Sequence, residues 1–322
     1  MALSNMKVYD DEIYQNTIEL LGQQIEKFNA ASGGSIVLSS QAWRGNYSKA
    51  AFFQQLAGAQ RRVNRNGVAG SATATALSQA ESVGVKVAGG FGPVLFEPSQ
   101  ITWLNENPGE AITAIAAGFA DALMADQLNT AVGCGVAAVS NQAALVNDVS
   151  AGAAISQVAL NGSHAKFGDM SMALVADVMT GATYHRLVGE ALNNSNRLFE
   201  STSVRVVDIL GKIAVVSDIP ALFEAGSPDK DKVLSVVANG IIVDNSSDII
   251  TNMDTTNGKT RIETTWQADY SFGVRLAGYG WDVVNGGSSP DDAALFTGSN
   301  WDKSVTENKH TLGTLAIGDA TV

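Results

Sequence analysis

Residues 107–138 constrain this 322-residue chain more than any other stretch. Asn107-Pro108-Gly109-Glu110 combines an Asn N-cap, a Pro at the first helical position and an acid at the third. Ile112, Ile115, Phe119, Leu123 and Leu128 continue a helical pattern that fades after Ala138. At a rise of 1.5 Å per residue, ~30 residues make a rod of roughly 45 Å, about three times an ordinary helix. Ala114, Ala116, Ala117, Ala120, Ala122 and Ala125 favour helix and keep its surface slim, so other elements can approach closely. A rod of that length without heptads needs a long body to lie along. Cys134 near its end reads as a small buried hydrophobe.

The flanking sequence is a mixture of periods. Residues 10–29 read as an amphipathic helix through Ile13, Ile18, Leu21, Ile25 and Phe28. Asp10 and Asp11 are its N-cap candidates, and Ala31-Ser32-Gly33-Gly34 ends it. β-like runs follow at Ile36-Val37-Leu38 and, with strict alternation, at Val83-Gly84-Val85-Lys86-Val87. Residues 64–80 are small and polar, with nothing to build a core, as expected of a loop laid on another surface. Helices are expected at 155–160 and 184–192, and strands at 172–176, 204–207, 213–216 and 233–243, the last interrupted by Asn239-Gly240. Residues 260–285 read as a strand pair ending at Trp281-Asp282-Val283-Val284, and 285–290 as a turn. The class is α+β with a central α/β segment.

Charge is distributed unevenly. Residues 1–26 hold Lys7 against Asp10, Asp11, Glu12, Glu19 and Glu26. From 27 to 79 there is no acid, while Lys27, Arg44, Lys49, Arg61, Arg62 and Arg65 are all present. The remainder is strongly acidic, for a net charge of −12 over the whole chain. A basic stretch on an acidic body can neutralise phosphates or meet the acidic body of another copy. A solvated basic loop is the third reading. Six charges over this span are thin for a nucleic-acid domain, and an acidic protein repels DNA, so self-association is the favoured reading. Only 16% of residues are charged, against roughly 25% in an average soluble domain, which suggests a surface covered by neighbours.

Several chemistries find no support. One cysteine excludes a disulfide scaffold or a Cys-based zinc cluster within one chain. His164, His185 and His310 are far apart and lack metal-ligand spacing. Gly258-Lys259-Thr260 resembles the end of a phosphate loop, but Met253 stands where its first glycine belongs. There is no G-x-S-x-G elbow or G-x-G-x-x-G turn, and adjacent acids such as Asp291-Asp292 suit helix capping. Residues 1–30 lack the basic start and apolar block of a Sec-type signal, and Asp, Asn or Gly breaks the apolar stretches before the ~18–20 residues of a membrane span. The expectation is a soluble, intracellularly made protein with no cofactor, no metal and no catalysis.

An ordered set of motifs carries a resemblance. Lys166-Phe167-Gly168-Asp169, Ala176-Asp177-Val178-Met179, Tyr184-His185-Arg186-Leu187 and the run from Leu210-Gly211-Lys212 to Asp218-Ile219-Pro220 resemble the central part of tailed-bacteriophage major capsid proteins. Tyr279-Gly280-Trp281-Asp282, Asn285-Gly286-Gly287, Pro290, Leu295 and Asn300-Trp301 are similar to the C-terminal segment of one branch of that family. The likeness runs over roughly residues 100–315, with Thr180-Gly181 where many relatives have His-Ser.

The resemblance implies the Hong Kong 97 fold: an N-terminal arm at 1–34, an extended β-hairpin loop at 35–98, a peripheral domain at 99–164 with a spine helix at 108–138, a mainly axial domain at 165–255, and a return to the peripheral domain at 256–322. It further implies a virion protein, assembled in the host bacterial cytoplasm into hexamers and pentamers of an icosahedral head. That head encloses double-stranded DNA without reading its sequence. The implied partners are a separate scaffolding protein, since 1–34 is short, together with a portal and a decoration protein. No membrane is involved. Some relatives join a Lys to an Asn of an adjacent subunit, but no motif places that chemistry here. On this reading Arg44, Lys49, Arg61, Arg62 and Arg65 are inter-subunit contacts, and Glu110, Asp121 and Asp126 line the inner surface. Two alternatives stand: an encapsulin-like nanocompartment shell around cargo enzyme, and a soluble hydrolase needing a deep pocket of separated acids with raised pKa.

Overall fold

The computed structural model describes residues 3–39, 43–53, 61–68, 70–71, 74, 76, 79–97, 100, 106, 108–193, 211–245, 248–257 and 260–321. Helix α1 (Leu3–Ala31) begins earlier than the expected position 10. Asp10 and Asp11 therefore lie inside the helix and are not its N-caps. Asp10 instead accepts the indole N–H of Trp266 at 3.1 Å, because a buried donor must find an acceptor. The helix stops where the glycines predict. Ser32 N–H donates to the Phe28 carbonyl at 2.8 Å, and Gly33 and Gly34 take φ of 62° and 72°, a region that glycine enters without steric cost.

Strands β1 (Ile36–Ser39), β2 (Tyr47–Phe53) and β3 (Gln79–Phe96) follow, then the long helix α2 (Pro108–Ser140). Its 33 residues make a rod of roughly 50 Å. Next come β4 (Val146–Asp148), α3 (Gln157–Ala165), β5 (Leu174–Met179) and α4 (Gly181–Asn193). Helix α3 begins at Gln157, two residues after the expected start, because Ser156 caps it by accepting Ala159 N–H at 3.1 Å. A 3₁₀ turn over Gly168–Ala173 delays the strand expected at 172–176 to Leu174. The strand expected at 204–207 lies outside the described residues.

The chain continues through β6 (Ile213–Val216), β7 (Phe223–Glu224), β8 (Lys230–Val237) and β9 (Ile241–Asn245), with Asn239 at φ 54° dividing the last two. It ends with β10 (Ile250–Thr256), β11 (Glu263–Leu276), β12 (Tyr279–Trp281), α5 (Asp292–Leu295), β13 (Trp301–Lys303) and β14 (Gly313–Asp319). The strand expected to reach Val284 stops at Trp281. There the Asp282 carboxylate accepts the N–H groups of Val284 and Asn285 at 2.8 and 3.2 Å and turns the chain. Asp291 caps α5 as expected, accepting Ala294 N–H at 2.8 Å.

Two six-stranded sheets result. One runs β1-β9-β11-β3-β2, with β10 also on β11; the other runs β4-β14-β8-β5-β6, with β7 on β8. Helix α2 joins them. Phe119 packs edge-on to Trp266 of β11 at 5.4 Å and against Phe91 of β3 at 5.4 Å. Farther along, Gly135 lets Ile241 of β9 and Leu234 of β8 close on the helix. Cys134 is fully buried, and burial pushes its thiol up, as a packing role requires. Over Ile112–Ser140 the helix is long and apolar enough to cross a membrane, so the interruptions read from the sequence do not disqualify it; most of that face is instead buried in this fold.

The foot of the β2–β3 hairpin is held by Trp43, which is 6% exposed. Its ring lies over Gly84 of β3 and Gly273 of β11, where an added Cβ would come within 2.7 and 2.0 Å of it. Gly273→Ala is therefore expected to cost about 1–3 kcal/mol by overpacking. Trp43→Ala made in the same chain should recover part of that loss, because the two sites share one volume. Denaturant midpoints of the two single variants and the double variant measure both effects, and strictly additive losses would contradict the contact.

Candidate functional site

Strand β3 serves two partners in turn. Val85 to Phe96 pair with β11, while Gln79 to Val85 pair with β2 in the register Phe53↔Gln79 to Tyr47↔Val85. The hairpin thus runs off the central sheet as a ribbon of about 20 Å. Its base is braced by β12, where the Ser82 hydroxyl donates to the Tyr279 carbonyl at 3.3 Å. A two-stranded ribbon is marginal alone in water, so a structure that projects one gains from a surface to lie on.

Of the five basic residues expected at an interface, one lies on this ribbon, one precedes it, and three lie in the connection between its strands. Arg44 is exposed at the foot. Lys49 on β2 meets Glu81 on β3 at 3.4 Å, a solvent-exposed pair worth little energy. Arg61, Arg62 and Arg65 sit in the wholly exposed segment 61–68, which also presents Val63 and Val68. No acid among the described residues lies within ion-pair distance of these three arginines.

The three acids expected on an inner wall have different surroundings. Glu110 is exposed in the first turn of α2. Asp121 is exposed and accepts the Gln24 amide of α1 at 2.5 Å. Asp126 lies about 140° around the helix from Asp121, is half-buried, and accepts the Tyr270 hydroxyl at 2.7 Å. Burial pushes its carboxyl up, the Tyr270 hydrogen bond opposes this, and the Asp292 charge adds to it. Burial together with the Asp126 contact also pushes the Tyr270 phenol up.

One polar cluster has no sequence signal. His164 of α3 places its Nε2 3.1 Å from both Asp177 Oδ1 of β5 and Ser235 Oγ of β8, all three buried. Ser163 Oγ donates to Thr314 Oγ1 of β14 at 3.1 Å beside it. A nucleophilic relay needs serine and aspartate on opposite ring nitrogens and an open approach. Here one nitrogen serves both and the site is closed, so the cluster ties α3 to two strands. An open cavity of about 500 Å³ is lined by Ser150, Pro228, Asp229 and Asp319, among others. The hydroxyl and N–H of Thr321 hold the Asp319 carboxyl low, opposite to what a general acid needs. No group of three potential metal ligands occurs among the described residues.

The family described as Gp13-like, major capsid protein 13-like, matches residues 5–315. The chain is similar to the cyanophage Pam1 capsid asymmetric unit at 13% identity, over 88% of each chain, with a TM-score of 0.54. It is also similar to the acidic stable capsid structure of Helicobacter pylori bacteriophage KHP30, at 10% identity over 88% of each chain with a TM-score of 0.49. The head structure of Helicobacter pylori bacteriophage KHP40 matches at 11% identity over 88% of each chain with a TM-score of 0.47. At these identities the Pam1 likeness speaks to the fold alone. No curated protein matches the sequence.

The Asp126 contact sets a sign. Its folded-state pKa is raised, so the native state binds more protons than the unfolded chain, and stability falls as pH rises through that window. Asp126→Asn should lose this contribution. As pH rises above the ordinary aspartate range, about 3.9, wild type is expected to lose stability relative to the variant. Urea midpoints read the difference, and parallel curves would put this carboxylate in solvent.

Proposed function

Because the chain belongs to the Gp13-like major capsid protein family, it is a major capsid protein of phage heads and a virion component, and we propose that its β2–β3 ribbon is the element that joins one copy to the next. Residues 1–34 act as the arm, 35–98 as the extended loop, 99–164 as the peripheral domain around α2, 165–255 as the axial domain, and 256–322 as the return. The shell is icosahedral, built of hexamers and pentamers around double-stranded DNA. It is assembled in the bacterial cytoplasm with separate scaffolding, portal and decoration proteins.

The observation that carries this reading is the tip. Arg61, Arg62 and Arg65 are exposed with no described acid in reach, on a chain of net charge −12. The complementary surface is on α1. Glu12, Glu19 and Glu26 are exposed at seven-residue spacing, which aligns them on one helix face. Opposite fields of this kind steer association and fix register more than they add affinity. Glu110 and Asp121 face the packaged DNA and keep it from adsorbing, by repulsion within about one Debye length, roughly 8 Å. Asp126 contributes least, since Tyr270 already occupies its carboxylate.

Converting Arg61, Arg62 and Arg65 to Glu together should abolish shells while leaving the subunit's circular dichroism and unfolding midpoint unchanged. Adding Glu12→Lys, Glu19→Lys and Glu26→Lys should restore particles. Sedimentation velocity and electron microscopy provide the readout. Shells at wild-type yield from the arginine variant would refute the role of the tip.

A further inference from the structure

Five Asn-Gly steps occur in the chain: Asn66-Gly67, Asn161-Gly162, Asn239-Gly240, Asn257-Gly258 and Asn285-Gly286. Such a step can react with itself, because glycine's missing Cβ lets its backbone nitrogen swing onto the asparagine side-chain carbon. Three of the five are held back. Gly162 lies inside α3, where its N–H belongs to the helical ladder. Gly240 N–H donates to the carbonyls of Val237 and Ser35 at 3.0 and 3.1 Å. Gly286 N–H donates to the Asp282 carbonyl at 2.8 Å, while the Asn285 amide donates to the Asp282 carboxylate. Gly258 lies outside the described residues.

Asn66-Gly67 differs at its glycine, since the asparagines of the other three described steps are exposed as well. Both residues are exposed at the ribbon tip. The Asn66 N–H is taken by Asn64 Oδ1 at 3.0 Å, while Gly67 N–H closes a loose turn on Asn64 and makes no well-formed hydrogen bond to the described residues. Arg65 is the preceding residue, and Arg61 and Arg62 are close in sequence, so the segment that carries the reaction is cationic, and its transition state develops negative charge on oxygen.

We propose that Asn66 is a self-modifying site, at which the unassembled subunit converts a neutral amide into a carboxylate and so weakens its own arginine tip. The bond from Gly67 N to Asn66 Cγ forms as the Cγ–Nδ2 bond breaks, and the Gly67 amide proton leaves with Nδ2 as ammonia. Water then adds across the imide and opens it to aspartate or isoaspartate. Nothing is oxidised or reduced, and water is the only co-reactant. The tip loses one unit of positive charge, beside the groups assigned to meet an acidic neighbour. Protection on assembly rests on the reading that a neighbouring copy covers the tip; the reaction itself does not.

The test incubates full-length unassembled subunit and assembled shells side by side in mildly alkaline buffer, followed by peptide mapping with mass spectrometry. In the free subunit, Asn66 should convert roughly tenfold faster than Asn161, Asn239 and Asn285, the factor expected when one intact hydrogen bond must first be given up. Gly67→Ala should suppress the conversion. Its Cβ would meet only the Asn64 side chain, at 3.0 Å, so the fold should be retained. Conversion of Asn66 no faster than the three protected sites would overturn the proposal. Equal rates in shells and free subunit would leave the chemistry standing and overturn the covered tip.

Discussion

The packing of Phe119 against Trp266 is the contact on which the rest of this fold depends. Phe119 sits on the long helix, Trp266 on β11, the second-longest strand of the sheet β1-β9-β11-β3-β2, and Phe91 and Tyr270 close the group. Both Phe119 and Trp266 are fully buried. The buried indole N–H then needs an acceptor, and Asp10 supplies it from α1. One aromatic cluster thereby fixes two helices and two strands, and its polar demand sets where the first helix lies. Thr17 and Gln24 continue that contact against Ala116 and Asp121, so the two helices run in the same direction.

The same packing sorts the charges. Acids near the core are used up within the subunit: Asp10 by Trp266, Asp126 by Tyr270, and Asp177 by His164. The arginines at 61, 62 and 65 have no such claim on them among the described residues, and 27–79 contains no acid. An incomplete electrostatic inventory within one subunit is a property that subunits completing one another can use.

How legible this was depends on where the signal resided. The long helix was readable from Asn107-Pro108-Gly109-Glu110, and the end of α1 from Gly33-Gly34, because caps and glycine conformations are local chemistry. Only residues 83–87 of β3 were readable as strand. Its outer part alternates weakly because it faces β2 alone, and its far part packs under aromatics contributed by distant elements. Asp10 and Asp11 looked like caps since their true role needed Trp266, more than two hundred residues away. His164, Asp177, Ser235 and Thr314 lie on four separate elements, so no spacing rule could gather them. The ordered family motifs supplied the long-range information that periodicity lacks.

A chain that must meet many copies of itself in one geometry also has to refuse all the others. Unpaired strand edges are the usual route to wrong association, and this fold limits them. Among the described residues, the strands ending the two sheet orders are short: β1 and β6 have four residues each and β4 has three. The longer edges are β2 and β10, with seven residues each, and β2 carries Lys49 as its third residue. A charge on a strand edge discourages backbone pairing while leaving side-chain recognition intact. Lys49 therefore does more by being exposed than by its weak pair with Glu81. It leaves β2 unable to extend a sheet indiscriminately, which keeps wrong pairings down while side chains remain free to be recognised.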